Sequence, residues 1–115
     1  MRSQAELQDI LSKVHTKMDL IFNSNLKQVI LYGSYARGDN EEYSDIDVMI
    51  VVGMNKHDLT AYRDEVWDFA EDVAREYGYE FVLSLKLQDE ETLTAWSNVL
   101  PYYKNVLNEG VVVNG

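Results

Sequence analysis

Two apolar runs joined by a polar turn constrain the fold more than any other part of this chain. The first run, Val29 to Tyr32, stops at Gly33, and the second extends from Asp45 to Val52. Short apolar runs bounded by turn residues are typical of buried strands. The link between them suits antiparallel neighbours better than a helical crossover. We therefore expect two antiparallel strands with a polar junction.

Two aspartates open the second predicted strand. Successive side chains on a strand point to opposite faces, so Asp45 and Asp47 are expected on one face, with their Cα atoms roughly 7 Å apart. Ile46 and Val48 would then point into the core. Two like charges on a strand are unfavourable unless a cation lies between them. Because Mg²⁺ takes one or two carboxylates together with substrate phosphates, the pair predicts a magnesium site.

The polar turn before the aspartates has the composition of a phosphate-binding turn. It reads Gly-Ser-Tyr-Ala-Arg-Gly over residues 33–38. Gly33 allows the backbone to turn sharply and to come close to a phosphate. Ser34 offers both a hydroxyl and an N–H group to the same oxygens. Phosphate-binding and metal-binding residues therefore lie within a short stretch of sequence.

Two further polar residues of this stretch have alternative interpretations. Arg37 could clamp phosphate oxygens at two points, or it could form a surface salt bridge to Asp39 or Glu41. Ser44 could cap the approach to Asp45 or hold its carboxylate, and it could equally be a plain turn residue.

A phosphate–metal site of this kind gains from a third carboxylate on an adjacent strand, as a metal ligand or as a base. Glu80 is the candidate, because it lies at the start of the strand predicted from Tyr79 to Leu87. On a period of two it would share a face with Val82 and Ser84. The alternative is an exposed glutamate at a strand edge.

The remaining pattern predicts the layers around the strands. Helical periodicity covers residues 7–22, 59–77, 89–96 and 102–108, and the valines at 111–113 predict an edge strand or a docking tail. The order of elements indicates a single domain over residues 1–115. Its predicted class is α+β, sandwich-like, with a small mixed sheet and helices packed mainly on one face.

Composition excludes several classes of function. Twenty acidic against ten basic residues give a net charge of −10, so direct nucleic-acid binding is not expected. The acidic surface serves solubility or suits a basic partner. The chain has no cysteine and no apolar run of the ~20 residues that a membrane span needs. No long apolar stretch follows the start, so a cytoplasmic location is expected.

The joint pattern, G-S-Y-A-R-G followed by S-D-I-D, resembles the nucleotidyltransferase superfamily typified by DNA polymerase beta and kanamycin nucleotidyltransferase. It is similar to the minimal nucleotidyltransferases of bacteria and archaea. The resemblance implies the nucleotidyltransferase fold and a Mg²⁺-dependent transfer of a nucleoside monophosphate from a nucleoside triphosphate. By motif match, Gly33 and Ser34 would bind the triphosphate, and Asp45 and Asp47 would hold the metal. The family's third carboxylate is usually Asp, whereas the best match here is Glu80.

Minimal members resemble the antitoxin half of toxin–antitoxin pairs whose partner is an all-helical HEPN protein. The resemblance implies transfer of AMP from ATP to a hydroxyl of such a partner, in a homo- or hetero-oligomer. Two alternatives stay open. The chain could be a non-catalytic module that binds nucleotide and neutralises its partner by contact. It could also modify a small molecule such as an antibiotic, although its length leaves little room for an acceptor domain.

Overall fold

A four-stranded mixed sheet lies at the centre of the computed structural model, which describes residues 3–41 and 44–114. Its strands are β1 (Leu26–Tyr32), β2 (Ile46–Val52), β3 (Leu83–Asp89) and β4 (Val111–Val112). They lie in the order β3-β2-β1-β4. β1 is antiparallel to β2 and to β4, whereas β2 and β3 are parallel. The antiparallel pairing predicted for the first two strands is confirmed.

Helices connect and cover these strands. They are α1 (Gln4–Phe22), α2 (Ser34–Arg37), α3 (Lys56–Leu59), α4 (Arg63–Glu76), α5 (Glu90–Trp96) and α6 (Pro101–Glu109). The helix predicted over residues 59–77 is divided, because a 3₁₀ turn at Thr60–Tyr62 separates α3 from α4. None of the helices in the described ranges combines the length and the apolar character that crossing a membrane requires.

The larger apolar layer lies between the sheet and helices α1 and α4. Alternate side chains of β2 enter this layer, beginning with the fully buried Ile46 and Val48. From α1 it receives the side chains that the helical period places on one face: Leu7, Ile10, Leu11, Val14, Met18 and Phe22. Burial of this continuous apolar stripe, rather than helix propensity, is what fixes α1 against the sheet.

A smaller apolar layer lies on the opposite face of the sheet, beneath α5 and α6. It contains Ile30, Met49, Val51, Leu93 and Val106. The unequal size of the two layers agrees with the prediction that helices pack mainly on one face. Since side chains alternate along β2, the residue two positions before Met49 projects on this second, less covered face.

The start of β3 differs from the sequence-based prediction. The backbone after α4 turns left-handed at Gly78 (φ 72°) and Tyr79 (φ 58°). The N–H of Tyr79 donates to the carbonyl of Ala74 at 2.8 Å, and that of Gly78 donates to Arg75 at 3.0 Å. These two bonds form a Schellman motif, which closes the helix and prevents an extended strand there. Glu80 therefore does not open β3, and the prediction that it does is wrong.

The polar junction between β1 and β2 is described only in part. β2 begins at Ile46, one residue later than predicted. Residues 42 and 43 of the predicted loop lie outside the described residues.

The predicted cap of α5 provides a test of the fold. Asp89 is buried, and its Oδ2 accepts from the N–H of Thr92 at 2.8 Å. Burial acts to raise the pKa of Asp89, but these hydrogen bonds outweigh it and hold the pKa below its usual value. The ionised Asp89 carboxylate thus contributes fully to stability at neutral pH, and this contribution is lost as the pH falls through the lowered pKa.

We expect Asp89→Ala to lower the free energy of unfolding by about 1–2 kcal/mol, measured by urea denaturation, whereas Asp89→Asn should retain most of the cap. Equal losses in the two variants would contradict this assignment.

Candidate active site

Gly33 and Asp47 contact each other where β1 ends and β2 begins. Tyr32 ends β1 opposite Asp47 on β2, and Gly33 follows immediately. A β-carbon at Gly33 would lie 2.6 Å from Oδ2 of Asp47 and 3.4 Å from its Cγ. The backbone there has φ 76° and ψ −155°, a region that only glycine adopts readily. The carboxylate therefore lies directly against the backbone of the polar turn.

Asp47 lies on the less covered face of the sheet, and Asp45, two residues earlier, is near enough for its charge to act on it. Asp47 is half-buried and Asp45, one residue before β2, is exposed. Burial and then the negative charge of Asp45 raise the pKa of the Asp47 carboxyl above its usual value, while the charge of Arg37 acts in the opposite direction. The ionised pair is therefore electrostatically unfavourable by itself, and a cation bound between the two carboxylates would relieve this repulsion.

The donor set of this pair fits Mg²⁺. Both ligands are hard carboxylate oxygens, and Mg²⁺ commonly takes one or two of them while its remaining positions hold water and substrate phosphates. Within residues 3–41 and 44–114, no group of three or more His, Cys, Asp or Glu is arranged to enclose a metal. Among the described residues, the two carboxylates thus form an open metal-binding site rather than one enclosed by protein ligands.

The polar turn of residues 33–38 lies next to this pair and is closed by backbone hydrogen bonds. The N–H groups of residues 36–39 donate to the carbonyls of Gly33 and Ser34 at 3.0–3.1 Å. The N–H groups of Ser34 and Tyr35 are not among these donors. The first amides of the turn, which adjoin Asp47, therefore remain able to donate to an incoming oxygen.

Arg37 and Ser44 are held by neighbours in the loop. The Nε of Arg37 donates to Asp39 at 3.2 Å, and its Nη1 donates to Glu109 of α6 at 3.5 Å. Ser44 closes a turn with Glu41, whose N–H donates to the Ser44 hydroxyl at 2.7 Å. The salt bridge to Asp39 and the turn role of Ser44 match the alternatives left open by the sequence. A phosphate contact of Arg37 or Ser44 stays a prediction.

The neighbour of Asp47 on β3 is Ser84, and sequence reasoning missed this position. The parallel register pairs Asp47 with Ser84 and Met49 with Lys86. The position beside Asp47 on the adjacent strand is thus occupied by a hydroxyl instead of a carboxylate. Glu80 is exposed and lies in the segment before β3, so the structure does not place it in this row. Only the register of β3 against β2 identifies Ser84.

A tyrosine pair and a lysine lie beneath α6, on the same face of the sheet as Asp47. The hydroxyl of Tyr102 donates to that of Tyr32 at 3.1 Å, and Nζ of Lys86 lies 4.5 Å from the centroid of the Tyr102 ring. Burial, the bond to Tyr102 and the nearby charge of Asp47 raise the pKa of the Tyr32 phenol. Tyr32 is therefore a neutral phenol at physiological pH.

Known proteins are similar to this chain in sequence or in fold. Two proteins of Methanocaldococcus jannaschii, both named as candidate protein adenylyltransferases, are each 30% identical to the chain. One matches over 116 residues, covering 98% of this chain and 99% of the relative. The other matches over 112 residues, covering 97% and 98%.

A solved structure confirms the fold class. The chain resembles a crystal structure of a toxin–antitoxin with AMP-PNP at a TM-score of 0.53 and 21% identity, covering 91% of this chain and 73% of that one. At this identity the likeness concerns the fold alone. The nucleotidyltransferase domain family matches residues 11–113, which include Gly33, Asp45, Asp47 and Ser84. The chain therefore belongs to the nucleotidyltransferase domain family and is a transferase of that type.

Proposed function

We propose that the chain transfers AMP from ATP to a hydroxyl group of a helical, HEPN-type partner protein, in a Mg²⁺-dependent reaction, and thereby acts as an antitoxin. The contact between Gly33 and the Asp47 carboxylate carries this proposal, because it brings a phosphate-binding turn and a carboxylate pair together. The two relatives named as candidate protein adenylyltransferases support AMP as the group and protein as the acceptor.

Each part of the site has a role in this proposal. The first amides of the turn and the Ser34 hydroxyl would bind the phosphates. Asp45 and Asp47 would hold Mg²⁺, which when bound neutralises charge on the triphosphate. The acceptor oxygen bonds to the α-phosphorus as the bond to pyrophosphate breaks, and the hydroxyl proton passes to water. Such a displacement needs little covalent chemistry from the protein, so positioning and charge neutralisation provide most of the rate.

The partner is proposed from fold and charge, and it would bring the hydroxyl as a separate polypeptide. The solved structure with the same fold is a toxin–antitoxin. A net charge of −10 suits a basic partner.

Labelled ATP provides the direct test. The purified chain is incubated with ATP labelled at the α-phosphate, Mg²⁺ and the helical protein encoded next to it, and the label on that protein is quantified. We expect label on the partner, dependence on Mg²⁺, and its loss when Asp45 and Asp47 are both changed to Asn. An unlabelled partner, or equal labelling by the double variant, would contradict the proposal.

Ser84 favours a second candidate function, a module that binds nucleotide and partner without catalysis. A hydroxyl beside Asp47 neither binds Mg²⁺ strongly nor removes a proton efficiently at neutral pH. In this case the Asp45→Asn, Asp47→Asn variant would still neutralise its partner by contact. Retained neutralisation therefore separates this function from the enzyme.

Adding a carboxylate at this position tests whether Ser84 limits the chemistry. We expect Ser84→Asp to raise the rate of AMP transfer by about 10²-fold, as a third metal ligand or general base. The matched Ser84→Asn variant has a similar shape but no charge and should show no gain. Equal rates for both variants and the wild type would show that two carboxylates suffice.

A further inference from the structure

The two strands that flank β2 place different groups beside Asp47. The turn at Gly33 and Ser34 follows β1, and β3 lies on the other side of β2. In an in-line displacement the attacking oxygen and the leaving pyrophosphate lie on opposite sides of the α-phosphorus. If the polyphosphate binds at the turn, as the proposed function requires, the acceptor hydroxyl approaches over β3.

A cationic cavity lies on this acceptor side. Lys86 is two residues beyond Ser84 along β3 and therefore shares its face. From Lys86 a cavity of about 220 Å³ extends along the C-terminal half of the strand toward α3 and α4. Three of the chain's ten basic residues, Lys56, Arg63 and Lys86, line it together. This concentration of positive charge is unexpected in a chain with twice as many acidic as basic residues.

The fold engages the cations of this cavity only in part: Nζ of Lys86 lies over the Tyr102 ring, and the charge of Lys56 acts on Asp89. Among the described residues, the salt bridges are made by Lys13, Arg37 and Arg75 and not by these three side chains. The carboxylate in the cavity wall, Asp89, already accepts from the N–H of Thr92 and from Gln88. An arriving anion would therefore meet three exposed cations that form no salt bridge with a described residue.

We infer that Lys56, Arg63 and Lys86 form an acceptor subsite that binds an acidic peptide segment next to the hydroxyl that receives AMP. This subsite rests on the proposed function for its place in the reaction, but its binding is measurable without transfer. The overall charge of −10 repels an acidic peptide. A preference for acidic peptides therefore requires that attraction by the three cations outweigh the repulsion caused by the net charge.

Two matched peptides test the subsite. Each is short, labelled with the same fluorophore and built around one tyrosine, flanked by glutamates in one peptide and by glutamines in the other. We measure their affinities by fluorescence anisotropy at low ionic strength and again at high salt. We expect the glutamate peptide to bind the wild type about tenfold more tightly, and salt to remove the difference.

Two triple variants with the same net charge assign this preference to the cavity. Lys56→Gln, Arg63→Gln, Lys86→Gln should abolish it while ATP affinity, measured by calorimetry, is unchanged. Lys13→Gln, Lys17→Gln, Arg75→Gln removes three cations that line a different groove, between α1 and the C-terminal end of α4, and should retain it. All three cavity residues are exposed, and the single variant Arg63→Gln, with part of the effect, serves if the triple variant unfolds.

The outcomes separate this inference from the proposed function. No preference in the wild type, or a preference that survives the cavity variant, would overturn the subsite. A matching loss of ATP affinity in that variant would also overturn it, because the cations would then belong to the nucleotide site. Labelling of the partner with AMP is measured independently, so failure of transfer with retained peptide preference would reject the enzyme but leave the subsite.

Discussion

Asp47→Asn is expected to lower AMP transfer by roughly 10³-fold, because charge neutralisation by a bound cation supplies several kcal/mol to such a reaction. The change keeps the shape of the side chain that lies against Gly33, so packing at the turn should persist. The measurement is the rate of label transfer from α-labelled ATP, together with the affinity for ATP with and without Mg²⁺. We expect the Mg²⁺-dependent part of that affinity to be lost.

The stability of Asp47→Asn provides an internal control, because we expect it to stay equal or to rise while the rate of AMP transfer falls. Burial and Asp45 raise the folded-state pKa of Asp47 above its unfolded value, so the ionised carboxylate destabilises the fold above that pKa. Asp47→Asn should therefore be at least as stable as the wild type at neutral pH without metal. Asp19→Asn, an equal change of charge on the exposed surface of α1, should alter neither property. A large loss of stability in Asp47→Asn would mean that lost activity reflects misfolding.

The second large effect is expected for Gly33→Ala. The new β-carbon would lie 2.6 Å from Oδ2 of Asp47, in a backbone conformation that only glycine adopts readily. We expect a loss of about 3 kcal/mol in the free energy of unfolding. Nucleotide binding should also be lost, since the turn must move away from Asp47. Urea denaturation and calorimetry with ATP measure the two effects.

Gly38→Ala is the matched control for this change. Gly38 also has a positive φ of 79°, but a β-carbon there meets nothing within 4 Å. Its cost should be about 1 kcal/mol, the backbone term alone. Adding Asp47→Ala to each glycine variant should recover stability only for Gly33→Ala, a coupling that a double-mutant cycle isolates. Similar losses at both glycines would show that the contact with Asp47 is unimportant.

Local sequence patterns were sufficient for the parts of the fold that depend on them. The alternation along β2 placed Ile46 and Val48 in the core and Asp47 on the opposite face, because the period of a strand leaves no other choice. The short link after Gly33 limited the first two strands to an antiparallel pair. The Asp89 cap was also foreseeable, since its signal is a single residue before a helical pattern.

Features that depend on register could not be predicted in this way. Nothing local indicates that Ser84 pairs with Asp47, because parallel strands far apart in sequence choose their register through packing of the whole sheet. The prediction that Glu80 opens β3 failed because strand-forming residues follow Gly78 directly, whereas the Schellman motif extends the helix end to Tyr79. The cavity at Lys86 joins residues of α3, α4, β3 and α6 with one of the 3₁₀ turn, and no short motif contains them.

The pairing of β4 with β1 has a consequence for how the site assembles. Val111 and Val112 pair with Leu31 and Ile30, two and three residues before the glycine that contacts Asp47. A contact between residues so distant in sequence forms only after most of the chain has collapsed, which slows folding. Fraying of the C-terminal segment would loosen the strand that precedes the proposed phosphate-binding turn. Amide exchange at Leu31 should therefore slow when ATP binds.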